Sequence, residues 1–288
     1  AAAADADLPT LRGRPCSAGE FSHIGQFEFL RELHRSACGS VHLARVKGRF
    51  LGAPEELVLK CLRVPELGKA GDMLHEYEVL KQLRHPNIIE CYGYFWDVET
   101  KSIFIVLEYA ARGDLSTELK ARREQERHFS NEEVWQIFSE VLQGLAYMHA
   151  RGIVHRDVKA LNLLLMATGA IKLGDFGVSR RLSEHTLLLN SLHGTPLYLS
   201  PELIEGRPYK EPTDIWSLGV VLYELLALQP PFTGRTLPEI SCAVLNGEYP
   251  PLPCFRAAEF NSLIAELLHR QAECRPTADK LLRKLQGH

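Results

Sequence analysis

His155-Arg-Asp-Val-Lys-Ala-Leu-Asn162, with Asp175-Phe-Gly177 a short way downstream, is the stretch on which the reading of this chain turns. Taken singly, neither piece says much. His155-Arg-Asp157 can arise by chance, and Asp175-Phe-Gly177 alone is consistent with a turn. Both together, in this order and with Lys159 and Asn162 at fixed offsets from Asp157, make coincidence remote.

The sequence before this stretch reads mostly as strands. Phe27, Phe29 and Leu33 lead into Ser40-Val-His-Leu-Ala-Arg-Val46, whose Val41, Leu43 and Val46 mark a half-buried extended segment. Gly48, Gly52 and Pro54 punctuate a turn. Leu57-Val-Leu-Lys-Cys-Leu62 is a third apolar strand with Lys60 inside it. Residues 71–84 read as a helix, and 89–96 and 103–109 as two more strands. From residue 130 onward helices dominate. Ser130-Asn-Glu-Glu133 is a capping box. It opens a helix with Val134, Ile137, Phe138, Val141, Leu145 and Met148 at helical spacing. Asp214 to Leu228 is apolar nearly all round, which predicts a helix buried in the centre of its lobe. Residues 258–268 and 277–285 supply the last helices. The pattern is α+β, a small strand-rich lobe followed by a larger helical one, with no internal repeat.

Composition sets the outer bounds. The 288 residues are 45% hydrophobic and 24% charged, enough for one large domain or two tightly joined lobes. A net charge of −3 points to neither a nucleic-acid nor a membrane partner. The seven cysteines are scattered without a CxxC pair, which argues against zinc and a disulfide framework and fits a reducing cytoplasmic or nuclear compartment. The best apolar run, Leu218 to Leu228, is short for a membrane span and carries Glu224. Ala1 to Asp7 is Ala/Asp-rich and lacks an apolar signal core.

The two opening motifs resemble the catalytic loop and the metal-binding motif of the protein kinases, and the resemblance runs through almost the whole chain. It implies the two-lobe protein-kinase fold over residues 25–286, divided into 25–108 and 109–286, behind a flexible tail of residues 1–24. It also implies ATP and Mg²⁺ as the reacting pair. Phosphoryl transfer is catalysed mainly by positioning and electrostatics. In that scheme Asp157 orients the acceptor hydroxyl and takes its proton, Lys159 neutralises charge on the transferring group, and Asn162 and Asp175 hold the metal. Lys60 matches the strand lysine that meets the α- and β-phosphates. A lysine snorkelling from an edge strand would look the same, but Glu76, nine residues before His85, stands where its helix partner belongs. Glu76 by itself could equally be a solvated helix face, as neighbouring Glu78 shows. By the same resemblance Leu33, Gly39, Val41 and Val58 fall on the strands that cover the nucleotide, and Leu164 meets the nucleotide from the lower lobe. Leu107 is the gatekeeper, the backbone of Glu108 and Ala110 meets adenine, and Asp114 meets the ribose.

The phosphate loop departs from the family. The pattern G-x-G-x-x-G-x-V falls on His34-Arg-Ser-Ala-Cys-Gly-Ser-Val41, where only Gly39 and Val41 survive. Glycine lets backbone amides approach phosphate without a Cβ in the way, so His34 and Ser36 should weaken ATP binding or stiffen the loop. Val58 stands where alanine is usual and narrows the slot. Cys38 is read as a small filler, the alternative being an oxidisable thiol.

Thr195-Pro-Leu-Tyr-Leu-Ser-Pro-Glu202 resembles the end of an activation segment, with Glu202 pairing with Arg275 and Asp214 anchoring the catalytic loop. Lys159 with Thr195 implies serine or threonine acceptors on protein substrates, Val178 favours threonine, and Leu161 favours an apolar residue three places before the acceptor. Arg156 and Arg180 need a counter-charge, which phosphorylated Ser191 would supply. Asp175-Phe-Gly-Val-Ser-Arg180, Lys159-Ala-Leu-Asn162 and Gly194-Thr-Pro-Leu-Tyr-Leu-Ser-Pro201 are most similar to the NIMA-related kinases. Two other readings are weighed against this one. A pseudokinase scaffold would explain the degraded glycine loop. A small-molecule kinase of related fold should lack the activation segment and the Glu202/Arg275 pair.

Overall fold

The computed structural model describes residues 21–36, 39–48, 54–63, 77, 80–175, 197–208, 210–253, 255 and 258–286. The chain divides into two compact units. One is formed by the residues up to Gly71 with Cys91–Tyr109, the other by Asp72–Glu90 with Ala110–His288.

In the first unit β1 (Phe27–Ser36), β2 (Gly39–Val46), β3 (Glu56–Arg63), β4 (Cys91–Asp97) and β5 (Ser102–Glu108) build one antiparallel sheet. The strand order is β1-β2-β3-β5-β4. Directly paired residues of neighbouring strands share a face. Val41 pairs with Lys60 and Lys60 with Ile105, while Leu43 pairs with Val58 and Val58 with Leu107. The alternate residues Leu57 and Leu59 therefore point the other way. They are buried with Ala44, Val46 and Val106. Phenylalanines complete this core: Phe27 lies 5.6 Å from Phe95, and Phe95 5.1 Å from Phe104, ring centre to ring centre. Phe21, which the sequence places in the tail, packs 5.1 Å from Phe27 and is buried. An aromatic side chain that reaches such a core gains about 2–3 kcal/mol from burial. β1 is an edge strand with two breaks of register, one between Phe29 and Arg31 and one between Glu32 and His34. Such bulges twist an edge away from pairing with foreign strands.

In the second unit the long helices follow their apolar periodicity. α1 spans Leu115–Glu124, α2 Asn131–His149, α3 Pro201–Ile204, α4 Glu211–Ala227, α5 Leu237–Asn246, α6 Ala258–Leu267 and α7 Ala278–Gln286. A two-stranded ribbon, β6 (Leu163–Leu165) with β7 (Ile171–Leu173), completes it. The capping box read at Ser130 is present, with Ser130 Oγ accepting from the Glu133 N–H and Glu133 accepting from the Ser130 N–H. α4 is buried continuously from Thr213 to Leu226, as its all-round apolarity predicts. Its polar members are therefore placed for a reason, since a buried polar group without a partner costs about 1–3 kcal/mol. Glu202, at the start of α3, and Arg275 form a buried two-pronged ion pair with both N···O distances 2.8 Å, and Thr213 Oγ1 donates to the same carboxylate. Among the described residues no helix is long and apolar enough to cross a membrane.

Candidate active site

The opening stretch leaves α2 and ends at β6, closed by a 3₁₀ turn at Ala160–Asn162. Its shape is imposed from α4. Asp214 is fully buried, and its two carboxylate oxygens accept the backbone N–H groups of His155 and Arg156, each at 2.9 Å. Arg156 has φ +72°, a left-handed conformation that costs a non-glycine residue about 1–2 kcal/mol. The paired grip of Asp214 on its N–H and its neighbour's holds that conformation. The His149 ring, at the end of α2, lies 2.8 Å from the Asp214 carboxylate. Burial acts to raise the Asp214 pKa, but the His149 hydrogen bond, the His149 and His155 rings and the His155 N–H outweigh it, so the carboxyl sits below its ordinary range and stays ionised.

His155 is buried too, and its bonds define its tautomer. Nδ1 accepts from the Asp157 N–H at 3.3 Å, so Nε2 carries the proton and donates to the Gly174 carbonyl at 3.2 Å. Burial lowers its pKa, against the opposing pull of Asp214 and Asp157, and the ring is neutral. One imidazole thereby links the loop to the residue before Asp175.

On this frame the predicted catalytic side chains meet. Lys159 Nζ and Asn162 Nδ2 both donate to Asp157 Oδ2 at 2.8 Å, and Asn162 Nδ2 also donates to the Asp157 carbonyl at 2.8 Å. The Gly174 N–H donates to the Asn162 carbonyl at 2.9 Å, which ties the end of β7 to the loop. β7 is itself fixed by Leu173, whose N–H and carbonyl bond to Asn87 and Ile89. Asp175 follows with φ +52°, exposed, directly after buried Gly174. Leu164 lies in β6, bridged to Asp114, and a Cβ on Gly174 would come 2.6 Å from the Leu164 side chain.

The residues fit a magnesium ion. Asn162 uses its amide nitrogen on Asp157, which leaves its carbonyl oxygen as a hard donor, and Asp175 supplies a carboxylate. Mg²⁺ favours one or two such protein oxygens completed by phosphate and water.

In the first unit Val41, Val58, Lys60 and Leu107 share one face of the sheet by register. Leu33 falls at the second break of β1 and is 38% exposed, Glu108 pairs with Leu57 at the end of β5, and Ala110 begins the second stretch of the second unit. Gly39 pairs with Leu62, and a Cβ there would stand 2.0 Å from the Cys61 carbonyl oxygen, so β3 alone demands glycine. Asp114 is the N-cap of α1: its oxygens accept from the Thr117 N–H at 2.9 Å and the Thr117 hydroxyl at 3.1 Å. Glu76, Arg180, Ser191 and Thr195, with Cys38 and Val178, lie outside the described residues. Sequence reasoning missed His149. It follows the buried Leu145 and Met148 of α2 with no motif to mark it, and only its distance to Asp214 reveals a role.

The protein kinase domain model matches residues 31–285. Among curated proteins the chain is 36% identical over 265 residues to a probable serine/threonine-protein kinase nek3 of Dictyostelium discoideum, covering 90% of this chain and 23% of that protein. It is 33% identical to human serine/threonine-protein kinase Nek5, covering 91% of this chain and 36% of that protein. It is 33% identical to mouse serine/threonine-protein kinase Nek4, covering 89% and 32%. The chain thus spans well under half the length of these relatives.

Proposed function

Because the chain belongs to the protein kinase domain family, we propose that it is a serine/threonine protein kinase of the NIMA-related type, moving the γ-phosphoryl group of ATP onto protein hydroxyls. The observation that carries this reading is the Asp157 carboxylate with Oδ2 held by both Lys159 and Asn162. With Oδ2 so engaged, Oδ1 is the oxygen assigned to the incoming hydroxyl, which it orients and relieves of its proton as the oxygen–phosphorus bond forms. Lys159 offsets the negative charge that gathers on the transferring group. Lys60 is assigned to the α- and β-phosphates, with Glu76 as its partner. Bound magnesium, held by Asn162 and Asp175, would neutralise phosphate charge.

The finer substrate and control assignments rest on single residues. Leu161, within the loop itself, is 56% exposed, which supports an apolar side chain in the substrate before the acceptor. Val178 supports threonine acceptors, and Arg156 with Arg180 supports activation by phosphate at Ser191. Substitution of Ser191 by Ala should remove activation by phosphorylation, and equal rates for the two forms would defeat that part. Residues 25–286 are taken as the catalytic domain.

A scaffold without catalysis is the second reading, favoured by His34 and Ser36 in the phosphate loop and by Gly39, which β3 packing already requires. Labelled-phosphate transfer from MgATP to a generic protein substrate separates the two. Asp157→Asn should reduce transfer about 100-fold or more; equal transfer by both proteins would sink the kinase reading.

A further inference from the structure

The ends of α1 and α4 border a cavity of about 580 Å³, lined by Arg123, Glu126, His128, Ala227, Leu228 and Gln229. That size falls within the range of ligand sites, roughly 300–1,000 Å³. Ala227 and Leu228 give it an apolar wall, and the other four residues are polar. Among the described residues those four side chains hold a single hydrogen bond, from Arg123 Nε to the Leu228 carbonyl at 2.5 Å. Arg122, next to it, is the opposite case, its guanidinium spent on Glu118 and Glu133. The bond through Nε fixes the Arg123 fork and leaves its two terminal nitrogens for a ligand. Glu126 shares the cavity but forms no ion pair with Arg123 among the described residues. His128 stands edge-on to Phe255, ring centres 5.0 Å apart, and Phe255 is 58% exposed. Arginine and large aromatic rings are the side chains on which binding energy concentrates. Glu126 and Leu228 also have left-handed backbone, φ +52° and +56°, although neither is glycine. Strain of this kind gathers at ligand sites.

We propose that this cleft docks the protein substrate away from its acceptor, taking an acidic side chain on Arg123 and an aromatic one against Phe255 and Leu228. The proposal rests on the phosphoryl-transfer reading above and names a feature of the substrate. The Arg123 fork matches a carboxylate in shape and charge. Glu126 and the Gln229 amide suit the N–H and carbonyl groups that an extended peptide presents between its side chains. The cleft is also within reach of the catalytic loop. From Asp214, which grips that loop, α4 rises about 20 Å to Leu228. An extended chain advances about 3.3 Å per residue, so the docked pair lies roughly six to ten residues from the acceptor. Arg123 has one further neighbour. Its charge reaches the buried Glu224 carboxyl, to which the Tyr198 hydroxyl donates at 2.5 Å. Arg123→Gln keeps a donor for the Leu228 carbonyl, and Phe255→Ser alters the rim without touching that charge.

The test uses the whole chain, unmodified and as Arg123→Gln and Phe255→Ser. Binding is read first, without nucleotide, by the fluorescence anisotropy of a labelled peptide that carries Glu-x-Phe and no hydroxyl residue. Exchanging its Glu for Lys should weaken binding about fivefold or more, as should Arg123→Gln and Phe255→Ser. Transfer is read second, on threonine peptides with the Glu-x-Phe segment about eight residues before the acceptor, after it, or omitted. In the unmodified chain one extended peptide should have a KM about fivefold below that of the short one, at similar kcat. In both variants that ratio should fall to about one. Equal binding of the Glu and Lys peptides, or one KM for all three threonine peptides, overturns the proposal. Should Arg123→Gln fail to fold, the Lys peptide and Phe255→Ser decide. If no phosphate is transferred while binding still depends on Arg123 and on the peptide's Glu, the kinase reading falls and the cleft stands as a peptide site. If transfer proceeds while no Glu-x-Phe peptide binds, the kinase reading stands and the cleft falls.

Discussion

Two residues show how one side chain can serve packing and chemistry at once. Gly39 is the last glycine of a loop that in the family cradles phosphate, yet here the Cys61 carbonyl already excludes a Cβ, at 2.0 Å. The neighbour is backbone and cannot swing aside, so Gly39→Ala should strain the β2–β3 pairing. A loss of about 1–3 kcal/mol is expected, seen as a lower thermal midpoint even without nucleotide. A stability equal to that of the unmodified chain would mean that β3 does not require this glycine. Asp114 is the second case. Resemblance assigns it to the ribose, whereas the structure spends both its oxygens on Thr117 at the start of α1. Asparagine caps a helix about as well as aspartate, and alanine gives up about 1 kcal/mol. If capping is its role, Asp114→Asn should keep both the melting temperature and the KM for ATP, and Asp114→Ala should lower the first. A raised KM in Asp114→Asn with stability unchanged would restore the ribose assignment.

The helices and strands were legible where burial imposes a clean period. β3 reads directly because Leu57 and Leu59 enter the core while Val58 and Lys60 alternate away, and α2 reads because a capping box meets a continuous apolar stripe. Ser130→Ala removes one half of that box and should cost about 1 kcal/mol in chemical denaturation; no change in midpoint would show that α2 is held by its packing alone. α1 escaped notice because only Leu115 and Leu119 are buried in it, too few for a helical period to stand out from a charged surface. α5 starts at Thr236 with a proline in its first turn and buries only Ile240 and Val244. β6 and β7 are three residues each, shorter than any alternation test can resolve. The catalytic side chains were legible for a different reason. Asp157, Lys159 and Asn162 are close in sequence and their chemistry is local, so a motif captures them. What positions them is not local: Asp214 reaches the loop from α4 and is itself held by His149 of α2, and of these two only Asp214 has a place in a recognised pattern.

For the whole chain, the buried ionisable groups of the second unit pull stability in opposite directions with pH. His155 is neutral in the fold, with its pKa held below the ordinary 6.5 by burial. The unfolded chain therefore binds a proton that the native one refuses, and this contribution is lost as pH falls from about 6.5. Glu224 has the reverse sign. Its carboxyl moves from the ordinary 4.5 to about 7 on folding, so the native state holds a proton that the unfolded state has released. Its contribution is full below about pH 4.5 and disappears as pH rises through about 7, an effect of about 3 kcal/mol at the upper end. Between those limits the two slopes oppose each other, and above about pH 6.5 only Glu224 still acts. Thermal midpoints should therefore decline between about pH 6.5 and 8 in the unmodified chain. In Glu224→Gln, which has no proton to lose, the midpoint over that interval should be flatter and lie several degrees higher at the alkaline end. A Glu224→Gln curve parallel to the unmodified one would mean that the carboxyl is already ionised at pH 6.5 and that Tyr198 and Arg123 compensate its burial far better than the geometry implies.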